Sequence, residues 1–182
     1  MITFQKIRWK NFLSTGDHWS EIDFLGHTTN LVVGTNGSGK STMLDALTFS
    51  LFNKPFRKIN KSQLINATNE KDCVVEVEFT VNNKDYLVRR SIKPNKFDIE
   101  VNGTLLHKES DDRLNQKILE ESILKVNYKS FTQIVILGSS SFVPFMQLST
   151  SNRRDVIEDL LDIRIFSAMN SLIKEKIRTE KE

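Results

Sequence analysis

The amino-acid sequence predicts an α/β fold, and three observations carry that prediction. An apolar strand, Thr29–Val33, runs into a glycine-rich turn from which a helix starts near Lys40. Two β-hairpins follow, over residues 73–92 and 97–107, and a charged helix with one apolar stripe closes the chain. With 182 residues, the chain is one domain and an extension, on a prior of roughly 150 residues per domain.

In chain order, Ile2–Lys10 and Trp19–Phe24 mix apolar and polar positions as strands do. The helix after the glycine-rich turn sets Met43, Leu44, Leu47 and Leu51 on one stripe, and Asn53-Lys54-Pro55 ends it. A polar, basic connection covers residues 53–69. Val75, Val77, Phe79 and Val81 alternate with Val74, Glu76, Glu78 and Thr80, the period of a half-buried strand, and residues 82–85 turn it into Tyr86–Ile92. Asn102-Gly103 joins Phe97–Val101 to Thr104–His107, because this pair tolerates positive φ at both turn positions. Ser110-Asp111-Asp112 places a cap and two acids at the start of a helix running to about Lys125, with Leu114, Ile118 and Leu119 on its packing face. Ile134–Leu137 is apolar enough for a strand. A last helix, opened by Ser149-Thr150-Ser151, is expected to run to the chain end. On it Phe166, Met169, Ile173 and Ile177 step by three, four and four, as at the root of a coiled coil. The domain division is therefore a lobe over residues 1–150 and a coiled-coil root over 151–182.

Composition narrows the function classes. Hydrophobic residues make up 38% and charged residues 27%, ordinary globular values that exclude disorder as the main state. The longest apolar run, Ile134–Leu137, is far short of the roughly 20 residues that span a bilayer, and the first residues carry no apolar signal segment. A protein of the cytoplasm without a membrane partner is expected. Cys73 stands alone, so neither an intrachain disulfide nor a cysteine metal site can form. His18, His27 and His107 are dispersed, without the spacing of a zinc site or an acid–base pair. The net charge of +3 permits nucleic-acid contact without arguing for it.

The chemistry concentrates at Gly34-Thr35-Asn36-Gly37-Ser38-Gly39-Lys40-Ser41-Thr42, which matches G-x-x-x-x-G-K-[ST] in full and sits between strand and helix, where its mechanism needs it. The glycines let successive backbone N–H groups of residues 36–42 approach phosphate oxygens, and the helix start adds its partial positive charge. Lys40 can bridge the β- and γ-phosphates of ATP, the Ser41 hydroxyl can ligate Mg²⁺, and Thr42 can donate to the α-phosphate. Lys40 and Ser41 are thus the expected catalytic pair, with Asn36, Gly37, Ser38, Gly39 and Thr42 completing the cradle. Hydrolysis also needs carboxylates for the metal and the water, and no acid follows an apolar strand, so the chain reads as half of a catalytic site.

Further residues resemble the SMC-like recombination ATPases of the SbcC and Rad-fifty type. They are Ile7-Arg-Trp-Lys-Asn-Phe12-Leu-Ser14, Asp45–Phe52, Lys54-Pro-Phe-Arg57, Gln63–Asn66, Tyr128–Gly138, Phe145-Met146 and Arg153–Leu161. The segments over 45–66 look like the phage members in particular. The resemblance implies the N-terminal lobe of an ABC-type P-loop ATPase head, split by a long coiled coil. It further implies a C-terminal lobe carrying the catalytic glutamate, a second head in an ATP-bridged dimer, a nuclease subunit and double-stranded DNA as partners, in a bacterial or phage-infected cell. The glutamine that senses Mg²⁺ and γ-phosphate in the family falls on Ser139, with Gln133 as the alternative in a shifted register. Leu13 stands where other members place an arginine, while Ser14, Asn66 and Thr68 remain candidate contacts to sugar or base.

Lys54, Arg57, Lys58 and Lys61 gather on one loop as a candidate DNA-backbone patch, the alternative being a solvated loop. Two functions compete. One is an ATP-driven repair and recombination engine beside a nuclease, hydrolysing ATP only in a completed, dimerised head; the other is an ATP-gated DNA clamp or tether without nuclease coupling.

Overall fold

The computed structural model describes residues 2–106, 111–136, 145–161 and 163–180. It divides into two compact units, residues 1–124 and 125–182.

The first unit is built on a six-stranded antiparallel sheet formed by β1 (Ile2–Lys10), β2 (Ser20–Asp23), β3 (Cys73–Val81), β4 (Lys84–Ile92), β5 (Lys96–Val101) and β6 (Thr104–Leu105), in the order β2-β1-β3-β4-β5-β6. Both expected hairpins are present, and the register sets Val77 against Val88 and Ile7, with Val88 in turn opposite Ile99. Alternation then does the sorting. Ile7, Trp9, Cys73, Val75, Val77, Phe79, Val88 and Ile99 share the inward face, all buried. Helix α1 (Thr42–Phe52) packs on that face over β1, β3 and β4, burying Ala46, Phe49 and Leu51. The helix ends where expected, at Asn53, whose left-handed backbone (φ 57°) returns an N–H to the Phe49 carbonyl.

The outward face carries charge across four strands. Arg8, Glu76, Arg89 and Asp98 stand opposite one another in register. Glu76, only 3% exposed, is gripped by the Nε–H groups of both Arg8 and Arg89. The Glu76 bond and the nearby Glu100 and Asp98 carboxylates offset the burial of the Arg89 guanidinium and raise its pKa.

Four expectations fail. Thr29–Val33 forms no strand: Leu31 and Val33 are 88% and 80% exposed, and no described strand lies beside them to satisfy their backbone groups. Helix α2 (Asp112–Lys117) is capped by Asp111, one of the two expected acids, while Ser110, the expected cap, lies outside the described residues; the helix continues through Ile118–Leu124 with wider π-type turns. Of the expected packing face Leu119 is buried, Ile118 is half-buried and Leu114 is exposed; the buried positions are Asn115, Leu119, Ile123 and Leu124.

The second unit holds the other two exceptions. Helix α3 (Tyr128–Ile134) takes the start of the run read as a strand, because the Asn127 side chain accepts the Ser130 N–H at 2.9 Å and caps it. Lys129 of α3 reaches Asn152 and, at 3.3 Å, Asp155 on α4 (Thr150–Leu160). The terminal helix is not continuous: it is interrupted between α4 and α5 (Arg164–Thr179), where Ile163 N–H reaches back to the Glu158 carbonyl. The α5 stripe of Phe166, Met169, Ile173 and Ile177 is exposed, each side chain by half or more. No described helix is long and apolar enough to cross a membrane.

Candidate nucleotide-binding site

The glycine-rich turn lines a cleft of about 500 Å³. Asn36, Gly37, Gly39, Lys40, Ser41 and Thr42 form one wall, and Gly37 and Gly39 take φ of +87° and +95°, which L side chains rarely adopt. At Gly34, an added Cβ would come within 2.5 Å of the Ser38 hydroxyl oxygen. The Lys40 ammonium folds back and donates to the Gly34 and Thr35 carbonyls at 2.6 and 2.8 Å, the Ser38 N–H closes on the Thr35 carbonyl, and the Thr42 N–H on the Gly39 carbonyl. The turn thereby keeps the shape of an anion cradle with its cation held at the rim.

The opposite wall comes from two loops fixed by asparagines. After β1 the chain turns sharply, with Asn11 and Leu13 both at positive φ. Asn11 is 1% exposed; its amide donates to Asp17 and to the Asp72 carbonyl, and its oxygen accepts from Asn69 at 2.7 Å. Asn66 donates to the Leu13 and Thr15 carbonyls and accepts from the N–H groups of Thr68 and Asn69. Its amide group is therefore fully occupied in tying the loops together. Among the expected contacts, Ser14 lines the cleft, while Asn66 and Thr68 do not; their neighbours Ile65 and Ala67 do. Leu13, Ile59 and Ile65 supply an apolar wall against which a flat ring can lie.

Arg57 is the residue whose surroundings the sequence concealed. It lines this cleft, and the fully buried Asp45 of α1 holds it: Oδ1 accepts its backbone N–H at 2.8 Å and Oδ2 its side-chain N–H groups at 2.6 Å. Lys61 points elsewhere, its ammonium 6.0 Å from the Phe49 ring and beside Arg90, and Lys58 is exposed. The four cations of the basic loop, with Lys54 among them, are thus spread over more than one surface. No single signal in the sequence pairs Asp45 with Arg57, twelve residues apart.

Gln133 lies in α3, where its Oε1 is buried without a hydrogen-bond partner. Ser139 lies outside the described residues. No described group of three or more His, Cys, Asp or Glu side chains is arranged to hold a metal ion. The residues present fit a bound nucleotide: Gly37 and Gly39 hold the turn at positive φ, and a lysine, hydroxyls and turn N–H groups converge on one cleft.

A glycine cradle at the start of α1, on a sheet with hairpins, is a P-loop nucleotide-binding domain. A family profile described as "AAA domain" matches residues 6–182, and the chain belongs to that family. It is 43% identical over 169 residues to exonuclease subunit 2 of Enterobacteria phage T4, a match covering 93% of this chain and 30% of the phage protein. The DNA double-strand break repair Rad50 ATPase of Thermoplasma volcanium is 26% identical over 179 residues, covering 95% of this chain and 19% of that protein. The chain thus spans less than a third of the length of these relatives. A solved structure from work on ATP-driven dimerization and DNA-stimulated activation of SMC ATPases shares the fold, with a TM-score of 0.55 at 23% identity, over 86% of this chain and 98% of that one.

Proposed function

We propose that this chain is the ATP-binding N-terminal half of a DNA double-strand-break repair and recombination ATPase that works with a nuclease subunit. The carrying observation is the composition of the cleft. Its lining has a phosphate-loop lysine, hydroxyls, an arginine and apolar groups but no carboxylate, and the buried carboxylate behind it, Asp45, is engaged by Arg57. Lys40 and the N–H groups of residues 36–42 bind phosphate oxygens, and Ser41 holds Mg²⁺, which when bound draws charge from the β- and γ-phosphates. Arg57 and the Leu13, Ile59 and Ile65 wall orient the rest of the nucleotide. The acid that positions the attacking water comes from a C-terminal lobe and a second head in an ATP-bridged dimer, a division supported by the homology to much longer relatives. The exposed Leu31–Val33 segment fits the same reading, since an apolar strand-like stretch gains backbone partners when strands of a second lobe lie beside it.

Residues 1–150 then serve as the head lobe and 151–182 as the root of a coiled coil, its stripe on α5. Double-stranded DNA and the nuclease subunit are the partners, the γ-phosphate sensor is Ser139 or Gln133, and the compartment is the cytoplasm of a bacterial or phage-infected cell. The deciding experiment is steady-state Mg·ATP turnover by this chain alone and after addition of the C-terminal segment, with Lys40→Ala as the blank. Silence alone and turnover on complementation support the proposal. Robust turnover by the isolated chain overturns it in favour of a self-contained P-loop enzyme.

A further inference from the structure

The first unit carries a second cleft, of about 380 Å³, that shares no lining residue with the phosphate-loop cleft. Its floor is Arg90, which stands on the inward face of β4 among apolar neighbours and is 5% exposed. The Arg90 Nε–H donates to the Ser50 carbonyl at 3.1 Å, an Nη–H donates to the Gln116 side-chain oxygen at 2.6 Å, and the guanidinium lies 3.6 Å from the centre of the Phe97 ring. All three partners are neutral. Among the described residues no carboxylate comes within 4.0 Å of Arg90, Lys61 or Arg113.

A buried guanidinium without a counter-ion is costly, because its lost hydration is repaid only by hydrogen bonds to dipoles. Burial lowers the Arg90 pKa to about 10, and burial together with Arg90 pushes that of Lys61 down. Asp112 lines the same cleft and acts on both cations from beyond ion-pairing range, as Glu120 does on Arg90. Lys96 also lines it but is already paired with Asp98 at 2.8 Å. Among the described residues, Lys61, Arg90 and Arg113 therefore stand around one concave site against Asp112 in its lining and Glu120 beyond it, three cations to two carboxylates, none of them in an ion pair.

We propose that this cleft binds a phosphate monoester dianion, with Arg90 as the fixed donor at its floor and Lys61 and Arg113 closing over it from the rim. A monoester presents three terminal oxygens, one for each of the three cations, whereas a diester presents two. Both a small phosphorylated compound and the terminal phosphate of a nucleic-acid strand present this group.

The test titrates inorganic phosphate into the full chain while ¹H–¹⁵N NMR follows the Arg90 Nε–H and the Asn95 and Gln116 amides. Phosphate takes up a proton and falls to a monoanion as pH drops through its second pKa, so the expected result is saturable shifts at these groups that weaken by at least about tenfold between about pH 8 and about pH 5. The shifts should vanish in the Lys61→Glu, Arg113→Glu double variant and persist in Lys84→Glu, a charge reversal at the start of β4. Shifts confined to residues 34–42, or equal affinity at the two pH values, overturn the proposal and leave nucleotide binding at the phosphate loop untouched. A second arm compares 5′-phosphorylated with 5′-hydroxyl oligonucleotides. Tighter binding of the phosphorylated strand assigns the site to a strand end, and equal binding beside saturable inorganic phosphate assigns it to a small phosphorylated compound.

Discussion

Replacing Arg57 by alanine strands the Asp45 carboxylate, and the structure fixes how much that should cost. Asp45 is fully buried, while the Arg57 side chain is 45% exposed. Breaking a fully buried ion pair from one side costs about 3–5 kcal/mol, chiefly because the remaining charge has lost both water and partner. Here one donor survives, the backbone N–H of residue 57 at 2.8 Å, so about 2–3 kcal/mol is the expected loss. The converse change, Asp45→Ala, frees an arginine that can turn to solvent, and costs about 1–2 kcal/mol. The double variant should then be more stable than Arg57→Ala alone by about 1 kcal/mol, since it removes the stranded charge. Urea unfolding of the three variants reads this order directly: with a slope of about 1–3 kcal/mol per molar, the single arginine variant shifts its midpoint by about 1 M. A midpoint unchanged in Arg57→Ala, or a larger loss in Asp45→Ala than in Arg57→Ala, refutes the reasoning.

Two further outcomes follow from buried polar groups. Glu76→Gln removes the anion between Arg8 and Arg89 and should lower stability by about 2 kcal/mol, partly restored by added salt that screens the two facing guanidinium groups; an unchanged Tm counts against the charge row. Burial pushes the Cys73 thiol up to about 12, so native-state alkylation should be negligible at mildly alkaline pH and appear on unfolding. The sign for stability is that of an acid with a raised folded pKa: its contribution is complete below the ordinary thiol value near about 8.5 and is lost as pH rises from there through about 12. Rapid alkylation of the folded chain would overturn the burial argument.

The hairpins were legible because alternation and Asn-Gly chemistry act within a few residues. The phosphate loop was legible for the same reason: its spacing is local and its glycines answer a backbone requirement. Thr29–Val33 was misread because a strand exists only when a neighbour accepts its hydrogen bonds, and apolar content cannot supply that neighbour. Leu114 was misassigned because 114 and 118, like 115, 119 and 123, are stripes at helical spacing, and only packing against α1 and β5 chooses between them. Asn66 was a candidate contact to sugar or base by family resemblance, yet here its whole amide ties two loops. Arg57 looked like part of a basic surface since nothing in linear sequence announces that a buried aspartate twelve residues earlier claims it.

Strands β1 and β3 are hydrogen-bonded neighbours, yet residues 11–72, which include β2, the phosphate loop, α1 and the basic loop, lie between them in the chain. The ligand-handling segment is thus one long loop clamped at its ends by a strand pair. Closing such a loop carries an entropic cost that grows only with the logarithm of its length, so that pair tolerates wide variation in what it encloses. Lengthening or reshaping the basic loop leaves every strand register intact. The sheet can therefore act as a fixed chassis while the enclosed segment changes its ligand chemistry, and drift in that chemistry need not threaten the fold.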